Sequence, residues 1–299
     1  STSMIKSWDK DNNYQYVLKL CDTPIGFFDL LAAKMGGANK ICVRSCNANS
    51  NEGKLKSLVN KMLRPFFNMI TDVKIAPSKL AAEYTFGYKA VNKNEVVFLH
   101  NAVDLDVYNY DSQKRKKIRE ELNIKPEQLV VGHIGRFNYQ KNHEFLLDIF
   151  SSIQSKRKDA VLLLVGDGEK KEEIISKIDR LGLTQNVILT GIRSDIPDLL
   201  SSMDVFVFPS FFEGMPNTII EAQATGMPCI LSDSITKEAE ITSDEYMTKL
   251  DHFIVSRTNG VLGLNNQYQL RSCYDRVAAF YKKETKGRAS KGKKRDTLR

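Results

Sequence analysis

From about residue 128 onward, short runs of β-branched and other apolar residues alternate with amphipathic stretches of helical length. This alternation is typical of repeated β-α-β units. Uninterrupted apolar runs such as residues 160–165 favour a parallel sheet, because crossover helices bury both of its faces. The predicted strands are Leu129–Ile134, Val161–Val165, Val187–Leu189, Val205–Phe208 and Cys229–Leu231, and the predicted helices are Asn142–Ser155, Lys170–Leu181, Ile196–Ser202 and Asn217–Thr225. Right-handed crossovers then predict an α/β domain with a doubly wound parallel sheet.

The residues before this region carry a weaker pattern of the same kind. It predicts strands at Tyr16–Leu20, Lys40–Val43, Val73–Ala76 and Val96–Leu99, and helices at Phe27–Lys34, Lys54–Asn68, from the cap Ser78 through Tyr84, and at Ser112–Glu121. Only about 110 residues precede the last of these helices, whereas a full domain of this class needs about 150. We therefore expect a partial α/β domain at 1–110, a complete one at 111–242, and a divergent helical segment with a basic disordered tail at 243–299.

The charge of the chain is concentrated at its end. Nine Lys and Arg against two acidic residues lie in 282–299, so this segment carries +7 of the net charge of +8. The remainder is close to neutral, which argues against a nucleic-acid-binding groove in the folded body. The tail has two open interpretations, a solvated terminus, which we favour, and a segment attracted to anionic lipid.

The cysteine count and the absence of long apolar runs bear on location. Five cysteines are an odd number, and none has a Cys-x-x-Cys spacing, so we expect a reduced, cytoplasmic protein. No run approaches the roughly 18 to 20 apolar residues of a membrane span, and no signal-peptide core is recognisable. Any membrane role is therefore expected to be peripheral, on the inner face of the membrane.

Two groups of residues follow predicted strands and are suited to an anionic ligand. Gly135 and Arg136 follow the first strand of the well-patterned region, and Lys141 follows five residues later. Two cations at this position could hold a diphosphate, because arginine offers paired donors and lysine a compact charge. The alternative is an exposed basic loop. The ends of parallel strands meet at one edge of the sheet, where ligands of such folds bind, and Gly166-Asp167-Gly168 and Gly191 also lie at strand ends.

The second group is Glu213-Gly214-Met215-Pro216-Asn217-Thr218-Ile219-Ile220-Glu221. Pro216 suits a first helical turn, where its missing N–H costs nothing. The amides from Gly214 to Thr218 would then face an anion, with the helix dipole adding to the attraction. Glu221 could accept from a ribose, and Glu213 could hydrogen-bond a sugar. Isolated carboxylates are usually solvated surface groups, but this pair brackets a turn directly after a buried strand.

Together these motifs resemble family 4 of the retaining glycosyltransferases, in its polysaccharide-biosynthesis branch. The resemblance rests on Gly135-Arg136 with Lys141-Asn142-His143, Val165-Gly166-Asp167-Gly168, Leu189-Thr190-Gly191, Asn101-Ala102-Val103-Asp104 and the Glu213-to-Glu221 motif. It covers about residues 16–242. It implies the GT-B arrangement of two facing Rossmann-like domains, with the partial N-terminal domain on the acceptor side.

The resemblance also implies roles for individual residues. Arg136 and Lys141 would neutralise the donor pyrophosphate, and Glu213 would lie against the transferred sugar; these three are the candidate catalytic residues. Glu221 would bind the ribose. The remaining candidate donor-binding residues are Gly135, Gly191, Ile192, Gly214, Met215, Pro216, Asn217 and Thr218, of which Gly191 and Ile192 would lie near the base. The expected donor is a UDP- or GDP-linked sugar, the expected acceptor is a polysaccharide or lipid-linked glycan, and no metal or other cofactor is expected.

Two departures from the family pattern keep other functions open. The glycine-rich loop that family members place near the donor phosphates has no counterpart, and Arg44-Ser45-Cys46-Asn47 stands where polysaccharide-type members often read His-Ser-His-Asn. A non-catalytic nucleotide-sugar-binding module, or one half of a split enzyme with a complementing partner chain, is therefore the alternative. A nucleotide-sugar epimerase is a third, although the spacing of Glu213 and Glu221 argues against it. Asp104-Leu105-Asp106 resembles a metal-binding Asp-x-Asp motif, but short acidic pairs of this kind are common.

Overall fold

The computed structural model describes residues 15–21, 23–46 and 54–239, together with the backbone of 247–250. The basic tail and the rest of 240–299 lie outside the described residues. The chain divides into two compact units. The first comprises residues up to Ala102 together with Phe212–Pro216 and Ile235–Ala239, and the second comprises Val103–Phe211, Asn217–Ser234 and residues from 240 onward.

The first unit contains a parallel sheet of four strands in sequential order, β1 to β4. Its strands are β1 (Tyr16–Cys21), β2 (Lys40–Ser45), β3 (Val73–Ala76) and β4 (Val96–Phe98), and its helices are α1 (Phe27–Gly36), α2 (Lys54–Ile70), α3 (Lys79–Phe86) and α4 (Tyr88–Asn92). Its core contains Ile41, Val43, Phe67 and Phe86. The Ser78 hydroxyl caps α3 by accepting from the amide of Ala81, as predicted.

The second unit contains a six-stranded parallel sheet. Its strands are β5 (Val130–Ile134), β6 (Val161–Val165), β7 (Val187–Leu189), β8 (Val205–Phe208), β9 (Cys229–Ser232) and β10 (Met247–Leu250), and its helices are α5 (Ser112–Glu121), α6 (His143–Lys156), α7 (Lys171–Arg180), α8 (Ile196–Ser202) and α9 (Asn217–Ala224). The strand order is β7-β6-β5-β8-β9-β10. This is the doubly wound Rossmann order, in which the chain reverses direction across the sheet between β5 and β8.

The predicted fold class, α/β with parallel sheets, is confirmed. The predicted strands β6, β7 and β8 have the predicted bounds. The five-residue helix α4 was not predicted, and neither was the strand β10, which lies in a region where we expected no clear strand. Both are too short to produce a periodic pattern over the window that separates helix from strand.

Candidate functional site

A cavity of about 500 Å³ opens at the carboxyl ends of β5, β6 and β7 in the second unit. It is lined by Arg136, Ile192 and the three residues Gly166, Asp167 and Gly168. In doubly wound sheets the strand ends near the switch point are the usual ligand site. The structure therefore brings together two residues that sequence reasoning assigned to opposite ends of one ligand, Arg136 at the phosphates and Ile192 at the base.

The loops that line this cavity are fixed to one another by backbone hydrogen bonds. The amide of Gly135 donates to Val165 O at 3.0 Å, and the amide of Gly166 donates to Gly191 O at 2.9 Å. Gly166 has a φ of +138°, and a Cβ on it would lie 2.1 Å from the carbonyl oxygen of Gly135. A side chain at Gly166 is therefore excluded both by the backbone conformation and by the neighbouring loop.

Gly135 leaves room for neighbouring side chains. A Cβ at this position would lie 3.2 Å from Nε2 of His133 and 3.2 Å from Cδ and Cε of Lys141. The absence of a side chain lets the stem of Lys141 lie directly against the loop backbone, so Gly135 helps to place the lysine.

The two candidate phosphate-binding cations differ in their surroundings. Arg136 is 71% exposed and forms an ion pair of 3.1 Å with Glu169, whose side chain is also exposed. Exposed pairs of this kind contribute little, about 0 to 1 kcal/mol, so an incoming anion can replace the glutamate at low cost. Lys141 is partly buried, and its Nζ lies 4.4 Å from the ring centroid of Phe208. Lys141 is held in place, whereas Arg136 can reorient.

Two buried histidines lie beneath this loop. His133 in β5 is fully buried and its Nδ1 donates to Val207 O at 2.8 Å. His143, the first residue of α6, packs edge-on against His133 and Phe137, with ring centroids 4.7 and 4.6 Å apart. Burial, His143 and Lys141 together hold the pKa of His133 well below 6.5, and burial with Lys141 lowers the pKa of His143 to about 4. Both rings are therefore neutral at physiological pH, and their surroundings are those of packed, structural side chains.

These depressed pKa values predict a stability that depends on pH. The folded protein binds fewer protons than the unfolded chain, so the contribution is fully present above pH 6.5 and is lost as the pH falls toward 4. For His143 alone the loss by pH 4 amounts to about 3 kcal/mol. In thermal melts, the melting temperature of wild type should fall between pH 7.5 and pH 4.5. The fall should be smaller in His143→Phe and His143→Gln. An equal slope in wild type and both variants would contradict this assignment.

Glu221 in α9 is half-buried and accepts a hydrogen bond from the hydroxyl of Tyr108. Burial raises the pKa of Glu221 above its ordinary value, although the tyrosine hydrogen bond opposes the shift. Burial and the nearby carboxylate likewise raise the pKa of Tyr108. A carboxylate that is desolvated and held by a single neutral donor retains acceptor capacity for a ligand hydroxyl.

Tyr108 was missed by sequence reasoning, and its position has a local cause. Oδ1 of Asp104 accepts from the amide of Asp106 at 2.9 Å, and Asp104 O accepts from the amide of Tyr108 at 2.9 Å. The acidic pair Asp104 and Asp106 thus belongs to a turn that precedes the tyrosine. Among the described residues, no three His, Cys, Asp or Glu side chains are grouped to hold a metal ion.

The segment Phe212–Pro216 belongs by its contacts to the first unit. The hydroxyl of Ser78, which is fully buried, donates to Gly214 O at 2.9 Å. The side chain of Asn101 donates to Met215 O at 2.7 Å and accepts from Arg44 at 2.7 Å. Asn101 and Ser78 thus anchor the backbone of the glutamate motif, a role that the sequence pattern did not reveal.

The candidate residues are therefore distributed over both units. Gly135, Arg136, Lys141, Gly191, Ile192, Asn217, Thr218 and Glu221 lie in the second unit, and Glu213, Gly214, Met215 and Pro216 are grouped with the first. Glu213 is buried and Asn217 is exposed. Of the candidates in the second unit, Arg136 and Ile192 line the cavity at the strand ends, and Lys141 and Glu221 are not among its lining residues. The assigned roles of all twelve residues stay predictions.

Comparison with curated proteins finds relatives in polysaccharide synthesis. The chain is 31% identical to the putative glycosyltransferase EpsF of Bacillus subtilis over 71% of its own length and 56% of the relative. It is 30% identical to an Escherichia coli UDP-Gal:alpha-D-GlcNAc-diphosphoundecaprenol alpha-1,3-galactosyltransferase over 70% of its own length and 55% of that protein. The chain thus spans about half the length of these curated relatives.

Comparison with solved structures supports the fold. Anabaena HepE in complex with UDP-glucose superposes with a TM-score of 0.72 at 18% identity, over 94% of this chain and 74% of that one. Staphylococcus aureus TarM superposes with a TM-score of 0.64 at 16% identity, over 94% and 53%. At such low identity the similarity concerns the fold alone. Residues 114–260, about half of the chain, match the family model described as "Glycosyl transferases group 1".

Proposed function

We propose that the protein is a retaining glycosyltransferase that moves a sugar from a nucleoside diphosphate to a polysaccharide or lipid-linked glycan. The observation that carries the proposal is the cavity at the ends of β5 to β7. Arg136 lines it, and Lys141 is held on the loop that follows β5. A nucleoside diphosphate requires cations at its phosphates, and these two side chains provide them at the ligand-binding edge of the sheet.

The chemistry of glycosyl transfer accounts for this choice of residues. The bond between the anomeric carbon and the diphosphate breaks, the carbon becomes cationic and the leaving group gains negative charge. Preorganised cations stabilise that charge as it develops, and this stabilisation lowers the barrier. In the proposed site Arg136 and Lys141 act on the diphosphate, Glu221 holds the ribose and Glu213 contacts the sugar. Retention then requires attack on the face that the diphosphate leaves, assisted by the leaving phosphate.

We propose UDP as the nucleotide. Several structural neighbours were solved with UDP or UDP-glucose, including Anabaena HepE, although their low identity transfers no residue role to this chain. The exposed side chain of Ile192 at the cavity edge offers an apolar surface to a base. The names of two relatives describe diphosphoundecaprenol-linked acceptors, and we propose an acceptor of that class here.

A turnover assay with the whole chain tests this function. We expect transfer from one of UDP-galactose, UDP-glucose or UDP-N-acetylglucosamine to a synthetic lipid-diphosphate-linked sugar, with an α-linkage in the product by proton NMR. A β-linkage would exclude retention. Binding of UDP-sugar without transfer or hydrolysis, rescued by the N-terminal half of the Bacillus subtilis relative, would favour the split-enzyme alternative. A new sugar-nucleotide formed without acceptor would indicate an epimerase.

The proposed role of Glu221 predicts a trade between stability and binding. Because the pKa of Glu221 is raised, its ionised form destabilises the unliganded protein. The contribution of protonated Glu221 to the free energy of unfolding is fully present below the ordinary pKa of glutamate, and it is lost as the pH rises through the pKa of Glu221 in the folded state. Glu221→Gln stays neutral and can still accept from Tyr108. We therefore expect the variant to be at least as stable as wild type at pH 7.5, and to bind UDP about tenfold to a hundredfold more weakly.

Calorimetric titration with UDP and thermal melts at pH 4 and 7.5 check this prediction. Tyr108→Phe is the matched control, because it removes only the hydroxyl that donates to Glu221. A Glu221→Gln variant that binds UDP as wild type does would remove Glu221 from the site. A variant that is less stable than wild type at pH 7.5 but equally stable at pH 4 would contradict the sign of the pKa shift.

A further inference from the structure

A second cavity, of about 190 Å³, lies in the second unit beside the first turns of α6 and α7. Its walls come from the loop that follows β5, from those two helices and from Phe211 after β8. It shares no lining residue with the cavity that contains Arg136 and Ile192. At about 30 Å³ per water molecule, the space corresponds to about six waters. It can therefore enclose one small ring but not a nucleotide, for which pockets are usually larger.

His143 is the buried polar side chain of this cavity. It lines the cavity and is only 3% exposed. Although its ring packs against His133 and Phe137, neither of its nitrogens has a hydrogen-bond partner among the described residues. The neutral imidazole carries one N–H donor and one acceptor nitrogen. A buried polar group without a partner destabilises the folded protein, so a ligand that hydrogen-bonds this ring binds favourably.

The other walls of the cavity are partly apolar. Tyr139 and Phe211 stack on each other with ring centroids 4.8 Å apart, and Tyr139 is 42% exposed. Ile174 of α7 is buried and adds an aliphatic surface. Aromatic and aliphatic walls pack against the C–H groups of a ligand, because the contact removes apolar surface from water. The ligand therefore needs an apolar face as well as a hydrogen-bonding group.

The charged residues of the cavity disfavour an anion. Lys170 forms ion pairs with Glu173 and, at 3.8 Å, with Glu144. All three line the cavity, so two carboxylates surround a single ammonium group and the cavity is acidic as a whole. A phosphate or carboxylate ligand would be repelled. The carboxylates can instead accept hydrogen bonds from hydroxyl groups, which carry no charge.

We propose that this cavity binds one uncharged sugar residue, whose hydroxyl groups hydrogen-bond His143 and whose C–H face packs against Tyr139. A hydroxyl both donates and accepts, so it suits either nitrogen of a neutral imidazole. A sugar ring combines an apolar face with several hydroxyls, and this is the combination that the walls require. A free sugar and a residue of a glycan chain present the same groups. Because the two cavities share no lining residue, the proposal does not depend on UDP binding.

Saturation-transfer NMR of the full chain tests this site. The probes are glucose, galactose and N-acetylglucosamine, each as the free sugar and as its methyl glycoside. We expect saturation transfer to at least one of these probes, and its titration gives the dissociation constant. A methyl glycoside that binds more tightly than its free sugar would identify a residue of a glycan chain, whereas equal or weaker binding of the glycoside would identify a free sugar.

Variants of His143 and Tyr139 show whether the sugar lies in this cavity. His143→Phe keeps a ring that can pack but removes both nitrogens, and it should weaken sugar binding by at least about tenfold. His143→Gln keeps a donor and an acceptor, so its loss should be smaller. Tyr139→Ala should weaken binding by about tenfold. Tyr110→Ala is the matched control, because it alters a tyrosine of similar exposure, 44%, outside this cavity. It should leave sugar binding unchanged.

Melting temperatures at pH 7.5 show that each variant is folded. Sugar binding that is unchanged in both His143→Phe and Tyr139→Ala would overturn the proposal. Binding that Glu213→Gln abolishes and His143→Phe leaves intact would place the sugar at the proposed donor site, and it would overturn the proposal as well. The same holds if none of the probes binds, or if a crystal structure with saturating glycoside shows only ordered water at His143. A chain that binds sugar through His143 but does not bind UDP would contradict the proposed function and leave this site intact.

Discussion

Replacing Asp204 with alanine is expected to destabilise the protein by about 3 to 5 kcal/mol, because it leaves buried arginine charge without its acid. Asp204 accepts from Arg115 at 2.6 Å and from Arg119 at 2.8 Å. Arg119 is only 4% exposed and Asp204 only 8%. The carboxylate also accepts from the amide of Val130 at 2.8 Å. It thus ties α5 to the first strand of the Rossmann sheet.

Urea unfolding of wild type and Asp204→Ala measures this effect. The control is Asp198→Ala. Asp198 forms a more exposed ion pair with Lys114 of α5, so its removal should destabilise the protein by less than about 1 kcal/mol. Asp204→Asn keeps an acceptor oxygen and should fall between the two. A loss of stability below about 1 kcal/mol for Asp204→Ala would contradict this expectation. It would show that the backbone carbonyls that also accept from Arg119 compensate for the lost carboxylate of Asp204.

Removal of both candidate phosphate ligands, Arg136→Ala with Lys141→Ala, is expected to weaken UDP binding by at least a hundredfold. Each hydrogen bond to a charged phosphate contributes about 1.5 to 3 kcal/mol, which corresponds to about tenfold to a hundredfold in affinity. Arg136 is exposed and its pair with Glu169 is weak, so Arg136→Ala should leave the melting temperature unchanged. Isothermal titration with UDP at fixed salt gives the affinities, and the single variants show how the loss is divided.

The matched control is Arg180→Ala, which removes an exposed cation from the last turn of α7. It changes the net charge by the same amount as Arg136→Ala. If Arg180→Ala weakened UDP binding as much as Arg136→Ala, general electrostatics would account for the affinity. Equal binding by wild type and the double variant would remove both cations from the proposed site.

The ends of β6 and β7 could be predicted because each of these strands is a short, continuous apolar run that is followed by glycine or a polar residue. The run Val161–Val165 is buried along its whole length, and Gly166 follows it at once. The periodic pattern determines which residues end each strand, and parallel topology then brings those ends to one edge. The position of Arg136 and Ile192 at one cavity follows from this logic alone.

Contacts between residues distant in sequence could not be predicted in this way. Tyr108 precedes α5 in a loop without a motif, yet it donates to Glu221 in α9. Asp204 lies 85 residues from Arg119, and nothing in either local pattern indicates their ion pair. The contact between the stem of Lys141 and Gly135 was not predicted either. Such pairings depend on tertiary packing, and the local periodicity of the sequence contains no information about it.

A crystal structure of the full chain with bound UDP tests the proposed site directly. We expect the pyrophosphate within hydrogen-bond distance of Arg136 and Lys141, the ribose hydroxyls on Glu221, and the base against Gly191 and Ile192. We also expect Arg136 to leave Glu169 for the phosphate. Nucleotide bound elsewhere, or bound at the ends of β5 to β7 with Arg136 still paired to Glu169 and Lys141 out of reach, would contradict the proposed site.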